Sequence, residues 1–350
     1  MRRYFRRDFL KLAGLAALMP EFSGFNMPAS SSRIKRNPVL PKRLKAGDRV
    51  ALVAPGSPPS DEKLALALSN LTTLGFQVRE GANLRKKNGY LAGADADRLS
   101  DLHQAFSDPD IDAVWCVRGG YGCARLLPGL NFNIIRDNPK VFIGYSDITA
   151  LHIAIHQQTG LATFHGPVAV SDLPAFTLDH LRAVVQNGEV PHRIQGVPDP
   201  QAPPHYQPFV IAPGRAEGTL TGGNLALLSA LAGTPFAPVF KDKIVFIEDV
   251  GEKPYRIDRM ITQLLQATDL RKAAGIALGI FDDCEHDPGS PSLTLRETLG
   301  LCLGNLGIPV FYGLPFGHIQ RQCTLPYGVK AELDADVFSL VMSDSAVLSG

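Results

Sequence analysis

Ser146 stands at the corner of the segment Val141-Phe142-Ile143-Gly144-Tyr145-Ser146-Asp147-Ile148-Thr149-Ala150-Leu151-His152. The first residues read as a short apolar strand, Gly144 leads a tight turn, and an apolar-periodic helix follows. A serine at such a corner is exposed at a strand's C-terminal end, where open α/β sheets keep their ligands. Its own N–H and that of Asp147 lie at a helix N-terminus, which favours developing negative charge. This is the logic of a nucleophile elbow, although Ile148 stands where the G-x-S-x-G pattern has its second glycine. The alternative is a serine that only caps the helix behind it.

A serine nucleophile needs a base to take its proton and a carboxylate to hold that base. Glu248 ends the run Lys243-Ile244-Val245-Phe246-Ile247-Glu248, and His318 lies in the loop after Pro309–Tyr312. With Ser146 they supply one group of each type. Each taken singly also fits a solvent-facing strand end or an ordinary loop. The loop Arg118-Gly119-Gly120-Tyr121-Gly122 follows another strand, and its glycines let backbone approach a ligand and offer N–H groups to an oxyanion. A tight strand-to-helix turn is the competing account, and the G-x-G-x-x-G spacing of a dinucleotide site is absent. His152 and His156 have the i, i+4 spacing of zinc ligands. Ile153 replaces the glutamate of H-E-x-x-H, however, and the helix reads as buried, so no metal is expected. Asp282-Asp283 and Glu285-His286-Asp287 form an acidic cluster, read as a solvated loop with a substrate-specificity loop as its rival.

The elements that must position these groups alternate. Strands at 49–54, 76–79, 113–117 and 141–144 are separated by helical patterns at 62–74 and 95–107, which points to a parallel sheet with helices on both faces. From Asp172 to Pro213 periodicity fades and proline, glutamine and histidine accumulate, as in a linker or lid-like connection. A second unit follows, with helices at 224–231, 255–266 and 293–303 and strands at 243–248, 275–281 and 309–312. The expected organisation is an α/β fold: an N-terminal parallel-sheet domain at 44–171, a linker at 172–213, and a smaller C-terminal α+β domain at 214–340.

Composition limits the function classes. Hydrophobic residues make up 45% of the 350-residue chain, charged residues 20%, and the net charge is +1. With basic residues scattered after residue 50, the footprint of a nucleic-acid-binding protein is missing. Five dispersed cysteines lack both C-x-x-C spacing and disulfide-scaffold density, though one disulfide is compatible with export. Arg6-Arg7 before the apolar run Leu12–Met19 resembles a twin-arginine export signal. That run is shorter than the ~20 apolar residues that span a bilayer. Residues 1–40 are therefore read as an export signal and arm. The protein is expected to meet the export machinery at the membrane and work in the periplasm, or in the cytoplasm if the signal is unused.

Six ordered segments carry a family resemblance: RGGYG at 118–122, FIGYSDITALH at 142–152, FHGP at 164–167, GGNLALLSALAGTPF at 222–236, VFIEDVGEKPYRIDRMITQL at 245–264 and GLPFGHIQRQCTLPYG at 313–328. They resemble the serine LD-carboxypeptidases, that is, the muramoyl-tetrapeptide carboxypeptidases and their microcin C immunity relatives. The resemblance runs from about Leu44 to Asp336. It implies two domains, often dimeric, with the site between them. Ser146 would be the nucleophile, His318 the base, and Glu248 the orienting carboxylate. The N–H groups of Asp147 and Gly120 would form the oxyanion hole. A substrate carboxylate also needs a partner, for which Arg118 is the candidate because arginine suits bidentate recognition, with Gly119 and Tyr145 beside it on the substrate side. No metal or organic cofactor is implied. The implied reaction releases D-alanine from a peptidoglycan-derived tetrapeptide. Two rivals stand beside it: an exported peptide-binding protein without catalysis, and a peptidase acting on peptide–nucleotide conjugates.

Overall fold

The computed structural model describes residues 38–349. The twin-arginine segment lies outside them. The chain begins with β1 (Arg49–Val53), α1 (Asp61–Thr73), β2 (Gln77–Glu80), α2 (Asp95–Ser107) and β3 (Ala113–Cys116). It continues with α3 (Phe132–Asp137), β4 (Val141–Gly144), α4 (Thr149–Thr159) and β5 (Phe164–His165). Local rules explain these elements. Ser60 caps α1 by accepting from Lys63 N at 3.3 Å, and Leu64, Ala67 and Leu71 put one helical stripe into the core. Every residue of β3 and β4 is buried, as strands covered on both faces require. The parallel order is β2-β1-β3-β4-β5.

After these come α5 (Ala175–Arg182), β6 (His192–Gln195), β7 (Phe209–Ala212), β8 (Arg215–Asn224), α6 (Leu225–Leu231) and β9 (Lys243–Val250). The chain then forms α7 (Pro254–Ala267), β10 (Gly275–Asp282), α8 (Leu295–Leu303) and β11 (Val310–Tyr312). It closes with β12 (Leu325–Pro326), β13 (Lys330–Asp334) and β14 (Ser339–Met342). A second sheet runs β6-β14-β13-β8-β9-β10-β11-β7. Its centre, β8 to β11, is parallel, with antiparallel strands on either side.

Two features differ from the sequence expectation. The 172–213 stretch, expected as a linker or lid-like connection, supplies α5 and both edge strands of the second sheet, β6 and β7. Edge strands are short and only half-covered, which weakens the apolar alternation that reveals a strand. Beyond His318 the chain also returns to the first sheet, where β12 pairs antiparallel with β5 and Leu325 faces His165 in register. Apolar residues of both sheets belong to one continuous buried cluster. All five cysteines are free thiols. Among the described residues no helix is long and apolar enough to cross a membrane.

Candidate active site

One residue separates Ser146 from the end of β4, and the serine opens a single 3-10 turn that runs into α4. Its φ is +67°, in the left-handed region that costs a non-glycine residue roughly 1–2 kcal/mol. Such strain persists only where packing over-determines it. Here Ile148 is fully buried over Gly144, where a Cβ would stand 3.0 Å from the isoleucine Cγ1. The residue replacing the second glycine of the elbow pattern is thus accommodated by the first. One turn on, the Nε2 of buried His152 lies 2.8 Å from the Gly144 carbonyl. Burial pushes this imidazole down to about 3, so the ring is neutral and Nε2–H donates to that carbonyl.

Glu248 and Asp249 are neighbours on β9 and leave opposite faces of the strand. Glu248 is fully buried, and its Oε2 accepts from Nδ1 of His318 at 2.8 Å. The loop reaches this position through Gly317, φ +122°, where a Cβ would stand 2.7 Å from the Ile280 carbonyl and 3.3 Å from Glu248 Oε2. Burial on its own would raise the Glu248 carboxyl, but the facing imidazole holds it below the ordinary value. For His318 burial acts downward, and the carboxylate outweighs it, leaving the imidazole raised. A histidine held this way keeps Nδ1 committed to the carboxylate and leaves Nε2 to exchange protons. Tyr145 meets the His318 ring edge-on with centroids 4.9 Å apart, which sets this imidazole beside the residue that precedes Ser146. The Ser146 hydroxyl itself forms no hydrogen bond with a described residue.

The 118–122 loop leans on the serine. A Cβ at Gly119 would stand 2.9 Å from Ser146 Cβ and 3.1 Å from both Ser146 Oγ and Asp147 N, an approach only glycine permits. Ser57 straps this loop from the end of β1, donating from N to Gly119 O at 3.1 Å and accepting from Tyr121 N at 3.1 Å. Gly120, φ +101°, passes so close that a Cβ would stand 2.4 Å from Ser57 Oγ. On the other side the buried carboxylate of Asp147 accepts from Cys123 N at 2.8 Å, and burial raises its carboxyl. The N–H groups expected to bind an oxyanion, those of Asp147 and Gly120, therefore sit on two pieces of backbone fastened to one another.

The remaining sequence candidates divide. Arg118 is half-buried, and its guanidinium pairs with no described residue. Tyr145, expected on the substrate side, packs its ring against His318 and, at 5.8 Å, against His165. Ser171 and Gln322 lie beside its hydroxyl, so the ring is held under the His318 imidazole. His152 and His156 do not converge on a shared point; His156 Nδ1 bonds the Leu161 carbonyl at 3.0 Å, and both rings pack on Tyr327. Among the described residues no group of three or more His, Cys, Asp or Glu could hold a metal ion. The acidic loop after β10 is anchored: Lys253 Nζ reaches Asp287 at 2.9 Å, and Glu285 accepts from Leu295 N at 3.1 Å at the start of α8.

Comparison with protein families decides what this arrangement belongs to. Residues 50–166 match the LD-carboxypeptidase N-terminal domain and residues 217–333 the LD-carboxypeptidase C-terminal domain. The chain belongs to the LD-carboxypeptidase family. It is 42% identical to a probable murein peptide carboxypeptidase of Bacillus subtilis over 84% of this chain and 91% of that protein. It is 38% identical to the murein tetrapeptide carboxypeptidase of Pseudomonas aeruginosa, over 82% and 94%. The crystal structure of muramoyltetrapeptide carboxypeptidase from Oxalobacter formigenes superposes with a TM-score of 0.74 at 32% identity, covering 85% of this chain and 99% of that one. The wild-type apo structure of the microcin C7 self-immunity protein MccF gives 0.79 at 25%, covering 89% and 100%. The protein is thus an enzyme, a serine carboxypeptidase of this family with its two-domain α/β fold.

Several residues of this LD-carboxypeptidase escaped the sequence reading. Asn224 N donates to Thr149 Oγ1 at 3.0 Å, and its Nδ2 donates to Asp249 Oδ1 at 2.9 Å. The end of β8 is thereby locked both to the helix behind Ser146 and to the strand of Glu248. Burial, then the neighbouring Glu248, pushes the Asp249 carboxyl up to about 7. Gly-Gly-Asn before an apolar run announces a helix cap, but nothing local names the residues it reaches. Arg98, 2% exposed, donates to Pro55 O and, at 3.0 Å, to Gly122 O; a buried arginine inside an amphipathic pattern carries no separate signal.

Proposed function

We propose that this carboxypeptidase hydrolyses the L,D-peptide bond that releases the C-terminal D-alanine of murein tetrapeptides, through Ser146, His318 and Glu248. One observation carries the reading: a serine in left-handed backbone at a strand end, whose preceding residue packs on the imidazole of a buried carboxylate–histidine pair. His318 Nε2 takes the Ser146 proton as Oγ attacks the scissile carbonyl. The oxyanion is held by the N–H groups of Asp147 and Gly120, and Glu248 stabilises the imidazolium. His318 then protonates the leaving D-alanine amine, giving an acyl-enzyme on Ser146. Water, deprotonated by the same histidine, attacks the ester and frees the shortened peptide. Arg118 binds the terminal carboxylate of the substrate, a task suited to a guanidinium without an intramolecular partner. Reading residues 1–40 as an export signal places the work in the periplasm, on peptidoglycan stems. The enzyme is further proposed to act as a homodimer.

The murein names of the relatives support this substrate class. A second reading, peptide–nucleotide conjugates, draws on the likeness to MccF, one structure of which holds aspartyl sulfamoyl adenosine. Against it, Trp115 is buried and donates to the Pro167 carbonyl at 2.8 Å, so the sole tryptophan cannot stack on a base. The discriminating experiment offers the full chain equal concentrations of an L,D-tetrapeptide, its all-L isomer and aspartyl sulfamoyl adenosine, and compares kcat/KM. Preference for the L,D-peptide is expected. Preference for the nucleoside conjugate would replace murein with the second reading, and tight binding without turnover would favour a peptide-binding protein.

A further inference from the structure

The residues after His318 have no regular secondary structure up to β12, yet they carry the group whose position the chemistry depends on. On one side Gly317 seats the loop against Glu248. On the other the loop is fastened to the helix that follows the first sheet. Thr177 in α5 is fully buried, and its hydroxyl donates to the Gln320 carbonyl at 3.0 Å while accepting from Gln322 N at 3.1 Å. These two backbone groups flank Arg321, whose guanidinium lies 4.8 Å from the centre of the Phe176 ring. Asp172, at the approach to α5, accepts from Gln320 Nε2 at 3.1 Å. The circuit closes on the site: the Gln322 side chain lies beside the Tyr145 hydroxyl, and the Tyr145 ring packs on His318. At its far end α5 is held to β6 by the His180–His192 contact of 2.9 Å.

We infer that α5 is the positioning element of the general-base loop and that the Thr177 hydroxyl fixes where His318 stands relative to Glu248 and Ser146. The inference rests on the reading of His318 as the base. A hydroxyl is needed because the position requires one donor and one acceptor on the same atom. Serine can supply both, whereas valine has the same shape as threonine and supplies neither. Thr177 does not touch the reacting atoms. Its effect passes through the backbone two and four residues beyond His318, and small misplacements of a catalytic group are enough to slow chemistry by about a hundredfold.

The test is Thr177→Val and Thr177→Ser in the full chain, measured on the murein tetrapeptide beside Ser146→Ala. Thr177→Val should lower kcat by about ten- to a hundredfold with KM within about twofold, and Thr177→Ser should restore most of it. The acid limb of kcat/KM should also move to lower pH as the His318–Glu248 contact loosens. Tyr145 packs on His318, and His165, Asp249 and Asp282 act on it electrostatically; none of them is altered in these variants. Asp172→Ala, a change at an exposed residue, gives the same readout and should shift kcat and the limb in the same direction by a smaller factor. A lowered melting temperature with wild-type kcat and an unmoved limb in Thr177→Val and Asp172→Ala would reduce α5 to a structural prop and overturn the inference. Wild-type turnover by Ser146→Ala would sink the triad itself, an outcome separate from any result at Thr177.

Discussion

Exchanging the Ser146 hydroxyl for hydrogen leaves the left-handed turn, the Ile148–Gly144 packing and the 118–122 loop in place. Ser146→Ala should therefore fold with an unchanged melting temperature and lose at least about 10⁴-fold in kcat; circular dichroism and a turnover assay check both halves. Glu248→Gln tests the pair. A general base works deprotonated, and the carboxylate raises His318, the proposed base, above its ordinary 6.5, so wild-type kcat/KM should fall as pH drops through a value above 6.5. Removing the negative charge removes that shift. The acid limb should then move to lower pH while kcat drops by about 10²–10⁴-fold. An unmoved limb would mean that Glu248 does not face the titrating group. Ser146 and Glu248 stood out in the sequence as polar groups closing apolar runs, although β9 continues two residues past Glu248, and His318 stood out as a loop histidine beyond β11. Thr177 did not, because a threonine in an aperiodic stretch means nothing until its partners 143 and 145 residues away are known.

Strands and helices place these groups through a few close approaches. At the junction of β8 with α4, Gly223 has φ +128°, and a Cβ there would stand 2.5 Å from both Thr149 Oγ1 and Cγ2. Gly223→Ala should push β8 off the helix behind Ser146, costing roughly 1–3 kcal/mol of stability and lowering kcat in the protein that still folds. Thermal unfolding and turnover at a permissive temperature measure the two effects separately. Much of the element order could be read in advance: β1, β3, β4, β9 and β10 are continuous apolar runs, and α1, α2 and α7 keep helical spacing. The strands β6 and β7 were hidden by their edge positions, and β12 by having only two residues, one of them Pro326. The return of β12 to the first sheet is a long-range pairing that local pattern cannot disclose, and it is what ties the His318 loop to the sheet that carries Ser146.

Taken as a whole, the molecule buries histidines that pH can reach. Desolvation pushes His152 to about 3 and His156 and His165 to about 4. The unfolded chain binds these protons near 6.5, the folded one only near 4 or below, so unfolding takes up protons between those values. Stability should fall as pH drops from 6.5 towards 4, by about 1.4 kcal/mol per pH unit for each such histidine. His318 and Asp249 act in the opposite sense, since their raised values stabilise the fold at low pH and lose that contribution as pH rises through them. They stand against four rings once His180, also pushed to about 4, is included. The melting temperature should therefore drop by several degrees between pH 7 and pH 5, as scanning calorimetry can show, and a flat profile would contradict the buried neutral rings. The central claim is tested most directly by incubating the full chain and its Ser146→Ala variant with a murein tetrapeptide and quantifying free D-alanine by mass spectrometry. Release by the wild type and none by the variant is the expected result. Equal release by both, or none by either while the peptide is bound, would contradict Ser146 as the nucleophile of an L,D-peptide hydrolase.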